Sequence, residues 1–185
     1  MISKVIVIAG MPGSGKSIIA EAAKELGLSV LSMGDVLRKE AKRRGLPLTD
    51  RVLGKLAISL RENFGKDYVA KALMDDIRRS KSKIVIIEGV RNLEEINFMR
   101  RKAGKVIILS VHASPSTRYV RLLKRGRGDD PKTWDEFKER DKRELEIGIG
   151  NVIALSDRIL INEDISRVEF KKKCLEELRR IIDDC

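Results

Sequence analysis

The chain has 185 residues, 42% apolar and 36% charged, with 39 Lys and Arg against 28 Asp and Glu for a formal net charge of +11. That length suits a single domain, 1–185, with a sizeable core. No run approaches the ~20 apolar residues of a membrane span, and too few apolar residues precede the first glycines for a secretion signal, so a cytoplasmic chain is expected. The charge favours polyanionic partners, and nucleic acid is compatible with it. Aromatic residues make up only 4%, poor material for base-stacking platforms, which favours small nucleotides instead.

The first predicted element is the strand Val5-Ile6-Val7-Ile8-Ala9, a continuous apolar run of the kind buried on both faces. It runs into Gly10-Met11-Pro12-Gly13-Ser14-Gly15-Lys16-Ser17, the phosphate-binding spacing G-x-x-x-x-G-K-[ST]. The glycines let successive backbone N–H groups converge on phosphate oxygens. Lys16 then reaches the β- and γ-phosphates, and the Ser17 hydroxyl can ligate Mg²⁺. Residues 10–17 are therefore the candidate ATP-binding loop. The helix that follows, ended by Gly27, points its positive end at the same anion.

A short strand is expected over 28–32, then a helical block over about 35–80. Its first helix covers Val36 to Arg44 and breaks at Gly45 and Pro47. The second starts at a Thr49/Asp50 cap, places Leu53, Leu56, Leu60 and Phe64 on one face, and ends at Gly65. The third starts near Lys66, with Val69, Leu73 and Ile77 as its apolar line. Further strands are expected at 84–87, 106–111 and 158–162, with helical residues at about 116–124 and 133–155 between them. In the terminal helix Val168, Leu175, Leu178 and Ile182 are expected to face the core.

Nearly all-apolar strands alternating with helices predict a parallel α/β sheet covered on both faces. In such sheets ligands gather beyond the carboxyl ends of the strands. Gly34-Asp35, Glu88-Gly89-Val90-Arg91, His112 and Asn162-Glu163-Asp164 all stand there. Asp35 caps a helix, orients a metal-bound water, or acts as a base toward a hydroxyl acceptor. Glu88, ending a buried strand, reads as an outer-shell metal carboxylate. Among the helical arginines, Arg118 reads as solvated, and His112 as structural. Cys174 and Cys185 lack metal spacing and read as thiols. Lys171-Lys172-Lys173 reads as a solvated helix face. Gly148-Ile149-Gly150 follows no strand and is not a dinucleotide fingerprint.

Four stretches together resemble the nucleoside monophosphate kinase branch of the P-loop kinases. They are the loop at 10–17; Ser32-Met33-Gly34-Asp35-Val36-Leu37-Arg38, similar to the S-x-G-D-x-L-R of adenylate kinases; Glu88-Gly89-Val90-Arg91; and Arg121 to Arg127 followed by Asp129-Asp130, similar to their lid. Within that branch the chain resembles an archaeal group described as adenylate-kinase-related predicted nucleotide kinases. The resemblance implies a three-layer α/β/α fold with five parallel strands in order 2-3-1-4-5, a helical acceptor-binding segment at 34–82 and a short lid at 125–133. It implies ATP, Mg²⁺ and a small phosphate-bearing acceptor. It also implies that Arg38 and Arg91 hold the acceptor phosphate and that Arg121 lies on the donor base. Arg125, Arg127, Arg140 and Arg143 would close on the transferring group. Glu88 stands where the family has Asp, Val90 replaces an aromatic, and no proline precedes Arg91.

Two other functions stay open. Ser156 to Asn162 also resembles dephospho-coenzyme A kinases, whose acceptor is a hydroxyl. The net charge leaves an ATP-driven assembly factor acting on RNA or protein.

Overall fold

The computed structural model describes residues 4–80, 82–128 and 130–184. Five strands form one parallel sheet: β1 (Lys4–Ala9), β2 (Ser29–Ser32), β3 (Ile84–Glu88), β4 (Lys105–His112) and β5 (Arg158–Ile161), in order β2-β3-β1-β4-β5. Every pairing is parallel. The order anticipated from sequence is the observed one. α1 (Lys16–Glu25) follows β1, and α2 (Met33–Arg43), α3 (Asp50–Phe64) and α4 (Tyr68–Arg79) stand between β2 and β3. Next come α5 (Leu93–Lys102), α6 (Pro115–Arg125), α7 (Trp134–Ile147), α8 (Ile149–Ala154) and α9 (Arg167–Asp183). None of the described helices is long and apolar enough to cross a membrane.

The period-2 geometry of the central strands divides their side chains between two cores. Val5, Val7, Val85 and Ile87 pack on one face with Val69, Leu73, Ile96 and Val152 from α4, α5 and α8. Ile6, Ile8, Ile86 and Leu109 pack on the other with Ile19, Phe170 and Leu178 from α1 and α9. All six residues of β1 are buried. Its carboxyl end, where the glycine loop begins, is thereby fixed at the centre of the sheet.

Several local expectations are corrected. α2 begins at Met33, with Ser32 as its N-cap, so Asp35 lies in the first turn and caps nothing. α3 starts and stops as expected, Thr49 accepting from Val52 N and Gly65 ending it, but Phe64 is exposed and lies against the Tyr68 ring instead of the core. α4 starts at Tyr68. The block at 133–155 is two helices, because Gly148 adopts φ 116° and both ends α7 and opens α8. In α9 Val168 is 79% exposed, and the core face is Phe170, Cys174, Leu178 and Ile181. Val168 belongs to the first turn of α9, on the face away from Phe170 and Cys174. Lys171 is tied to Glu25 at 2.6 Å. Cys185 and Asp129 lie outside the described residues.

Burial pushes the Cys174 thiol up to about 12. Since the thiolate is the reactive form, alkylation of Cys174 at pH 8 in the folded chain should be at least about a hundredfold slower than in denaturant. It should also rise with pH as the thiolate fraction grows. Mass-spectrometric mapping of labelled Cys174 checks this; equal rates in folded and unfolded chain would show the helix face to be open.

Candidate active site

The loop between β1 and α1 is shaped by what it packs on. Gly13 has φ 81°, and a Cβ there would stand 2.7 Å from the Arg118 carbonyl oxygen. Gly15 has φ 110°, caps α1, and leaves no room for a Cβ beside the Asn162 amide. Both positions demand glycine on conformation and on space. Asn162 Nδ2 donates to Ser14 O at 2.8 Å, and Arg121 donates to Asn162 Oδ1 at 3.3 Å. The Ser14 hydroxyl is buried without a hydrogen-bond partner among the described residues. Lys16 Nζ donates to the Gly10 and Met11 carbonyls at 2.7 and 3.0 Å, folding across the loop.

Arg118 overturns its reading as a solvated arginine. It is 4% exposed. Its guanidinium donates to Ala113 O, to Pro12 O at 3.1 Å, and to both Asp141 carboxylate oxygens at 2.8 and 2.5 Å, and it covers the Phe137 ring at 4.9 Å. One side chain thus joins the phosphate loop, α6 and α7. Sequence could not show this because Asp141 is 23 positions away.

A cavity of about 760 Å³ opens at the carboxyl ends of the strands. One wall holds Pro12, Gly13, Gly15, Lys16 and Ser17; Gly10, Met11 and Ser14 stand behind them in the loop. Arg38, Glu88 and Arg91 line it from α2, β3 and the loop after β3, and Arg121, Arg125, Arg127, Arg140 and Arg143 from α6, the loop after it and α7. Asp35 does not line it. Its carboxylate pairs with Arg38 at 2.7 Å and faces a neighbouring groove between β2, α2 and α4. His112 is exposed at the end of β4, outside the lining.

Most of these cations are held by carboxylates. Arg91 ion-pairs with Glu144, and Arg143 with Asp50. Arg125 donates to both Asp130 oxygens, and Oδ2, which takes its Nε at 2.8 Å, also accepts the Arg127 N–H at 3.0 Å. Arg140 spans Asp50 at 3.2 Å and Asp130 at 3.5 Å, joining α3 to the loop between α6 and α7. Burial pushes Lys16 down to about 7, with Arg91 adding to the push and Glu144 and Glu88 opposing it. Glu144 stays below the usual carboxylate range despite burial, held by Arg91, Lys16 and Arg140.

Behind Arg91 lies a buried network that sequence reasoning missed. Glu95 accepts Arg61 Nε and Nη2 at 3.1 and 2.7 Å on one oxygen and the Arg91 N–H at 2.8 Å on the other. Asn92 caps α5, accepting from Glu95 N, and donates to Lys66 O. The Asn92 cap was legible as a helix-start signal; the Arg61 partnership, 34 residues apart, was not.

For Mg²⁺ the donor set fits. Ser17 and Glu88 supply two hard oxygens on one cavity, and Mg²⁺ usually takes one or two protein ligands and fills its octahedron with water and phosphate oxygens. No group of three or more His, Cys, Asp or Glu side chains among the described residues forms a metal cage.

A parallel sheet in this order with a glycine loop after its central strand defines a P-loop kinase fold. The chain belongs to the family described as AAA domain, whose model matches residues 9–138, and to the UPF0200 proteins, one of which, from Hyperthermus butylicus, is 46% identical over 177 residues, 96% of this chain and 94% of that protein. A UPF0200 protein of Methanocaldococcus jannaschii is 45% identical over 181 residues, covering 97% of this chain and 89% of that one. Among solved structures the fold is similar to TT1252 from Thermus thermophilus, with TM-score 0.71 and 20% identity over 98% of this chain and 99% of that one. It is also similar to shikimate kinase from Bacteroides thetaiotaomicron, with TM-score 0.65 and 16% identity over 97% and 98%.

Proposed function

We propose that the protein is an ATP-dependent phosphotransferase that moves the γ-phosphoryl group of ATP onto the phosphate of a nucleoside monophosphate or a related small nucleotide. One observation carries this reading: a single cavity joins the phosphate loop and Lys16 to a wall of arginines contributed by separate elements. Phosphoryl transfer spreads negative charge over the equatorial oxygens, and its catalysis is mostly alignment and cationic stabilisation. Arginine forks suit that task.

In this reading the loop amides and Lys16 hold the triphosphate, and Arg121 lies against the donor base. Ser17 would ligate Mg²⁺ with Glu88 behind it, and an ion held there would supply charge neutralisation and orientation of the phosphates. Arg38 and Arg91 hold the acceptor, α2 to α4 forming its binding segment. Arg125 and Arg127 close from the lid at 125–133, with Arg140 reaching in from α7, and exclude water. A phosphate acceptor is already anionic and needs no base, which agrees with Asp35 facing away from the cavity.

The test is incubation of the purified chain with ATP, Mg²⁺ and a panel of nucleoside monophosphates. ADP formation that one acceptor stimulates is expected. ATP consumption that no acceptor stimulates overturns the reading in favour of an ATP-driven factor. Asp35→Asn should reduce turnover less than tenfold, below the 10²–10⁴-fold contribution of a general base. A loss of a hundredfold or more would identify a hydroxyl acceptor instead.

A further inference from the structure

Glu144 is a charged group of the cavity that has no part in that scheme. It enters from α7, its side chain only 15% exposed, and ion-pairs with Arg91. Lys16 and Arg140 line the same cavity and are the other cations that act on it. A carboxylate here is of the same sign as every substrate group the cavity would receive. It also occupies the Nε edge of the Arg91 guanidinium, one of the two edges through which that side chain could take an acceptor phosphate bidentately.

Structural support does not account for this placement. The main chain of Arg91 is already fixed by Glu95, and α7 is already anchored by the Arg118–Asp141 pair and by Arg140 and Arg143 on Asp50. What Glu144 does do is place a negative charge against Arg91, Lys16 and Arg140 where phosphates would meet.

We propose that Glu144 is a specificity-determining residue, an internal anion that holds Arg91 beside the phosphate loop until an acceptor phosphate takes its place, so that ATP is spent on the acceptor and not on water. This rests on reading the cavity as a phosphate-transfer site. With ATP alone, Arg91 is bound to Glu144 and lends no charge to the γ-phosphate. In hydrolysis water attacks the γ-phosphorus, the bond to the β–γ bridging oxygen breaks, and ADP, orthophosphate and a proton leave. That step lacks Arg91 as long as Glu144 holds it. An acceptor phosphate carries more charge than a carboxylate, exchanges with Glu144 on the guanidinium, and brings Arg91 into the transfer.

Glu144→Gln keeps the shape and removes the charge; Glu144→Ala removes the group altogether and serves if the amide packs badly. Thermal unfolding confirms that each is folded. Titration calorimetry with inorganic tripolyphosphate as the probe should then show binding at least about tenfold tighter than in the wild type, since removing a like charge from a desolvated site lifts a repulsion of that order or more. Acceptor-independent ATP hydrolysis should rise alongside. Equal affinity in all three proteins overturns the proposal and leaves the phosphate site standing. Weaker binding in both variants also overturns it, making Glu144 a mere support for Arg91. Failure of wild type and variants alike to bind tripolyphosphate removes the phosphate-site reading, and the proposal with it.

Discussion

In the Lys16→Ala variant, phosphoryl transfer falls by at least about a hundredfold, the cost of removing one preorganised donor from a developing phosphoryl charge. The fold should survive. Among the described residues Lys16 donates to the Gly10 and Met11 carbonyls, so truncation takes a donor from two neutral main-chain acceptors and leaves the packing of the loop on Arg118 and Asn162 in place. Far-ultraviolet circular dichroism and the unfolding midpoint should therefore stay near wild type while rate and triphosphate affinity collapse. A variant that retains full transfer would show that the loop does not grip the triphosphate at all. Lys16→Arg is not a conservative rescue, because a planar fork cannot reproduce a compact ammonium in so narrow a loop.

Arg118→Ala acts through the scaffold. The substitution strands the half-buried Asp141 carboxylate, frees the Pro12 and Ala113 carbonyls, and removes a cation from the face of Phe137. Breaking a buried ion pair from one side costs about 3–5 kcal/mol, a large share of the stability of a domain this size. Urea unfolding should register that loss. A double-mutant cycle with Asp141→Ala should give a coupling in the 0.5–3 kcal/mol range of contacting residues. Triphosphate affinity should weaken as well, since Arg118 holds the loop from behind without lining the cavity. A loss below about 1 kcal/mol, typical of a surface pair, would restore the reading of Arg118 as a solvated residue.

The carboxylates distributed through the cavity bear on how the parts move together. Asp50 heads α3 and grips Arg140 and Arg143 of α7, while Asp130 grips Arg125 and shares Arg140. Gly54, one turn along α3, leaves the space that the Arg143 side chain fills, a Cβ there standing 3.0 Å from its Nε. α3 and the loop at Asp130 are therefore connected through Arg140. In the proposed phosphotransferase, a phosphate that drew on Arg140 would redistribute the ion pairs on both sides, coupling acceptor binding to exclusion of water.

Much of this was written in local sequence. β1 and the glycine loop were legible because a both-faces-buried strand and a phosphate-binding turn each leave a contiguous signature, and the five-strand order came with the resemblance carried by four short motifs. Cap signals placed α3 to the residue. The overreach at Val168 and Phe64 has one cause: helical periodicity gives a face but not how far along the helix that face stays covered. Asp35 was drawn to the site by its position after β2, yet the rotation of α2, set by its start at Met33, turns its carboxylate into the adjoining groove.

The sequence by itself determined the sheet, the loop and the identity of the cations that cluster beyond the strands. Only the tertiary structure decided which of those cations carry partners: Glu144 on Arg91, Asp50 on Arg143, Asp141 on Arg118 and Glu95 on Arg61. The physical reason is that chain-local patterns fix backbone conformation, whereas a charge's pairing depends on which side chains the packed elements bring within a few ångströms. Three of those four pairs join residues more than 30 positions apart, at 91 and 144, 50 and 143, and 61 and 95.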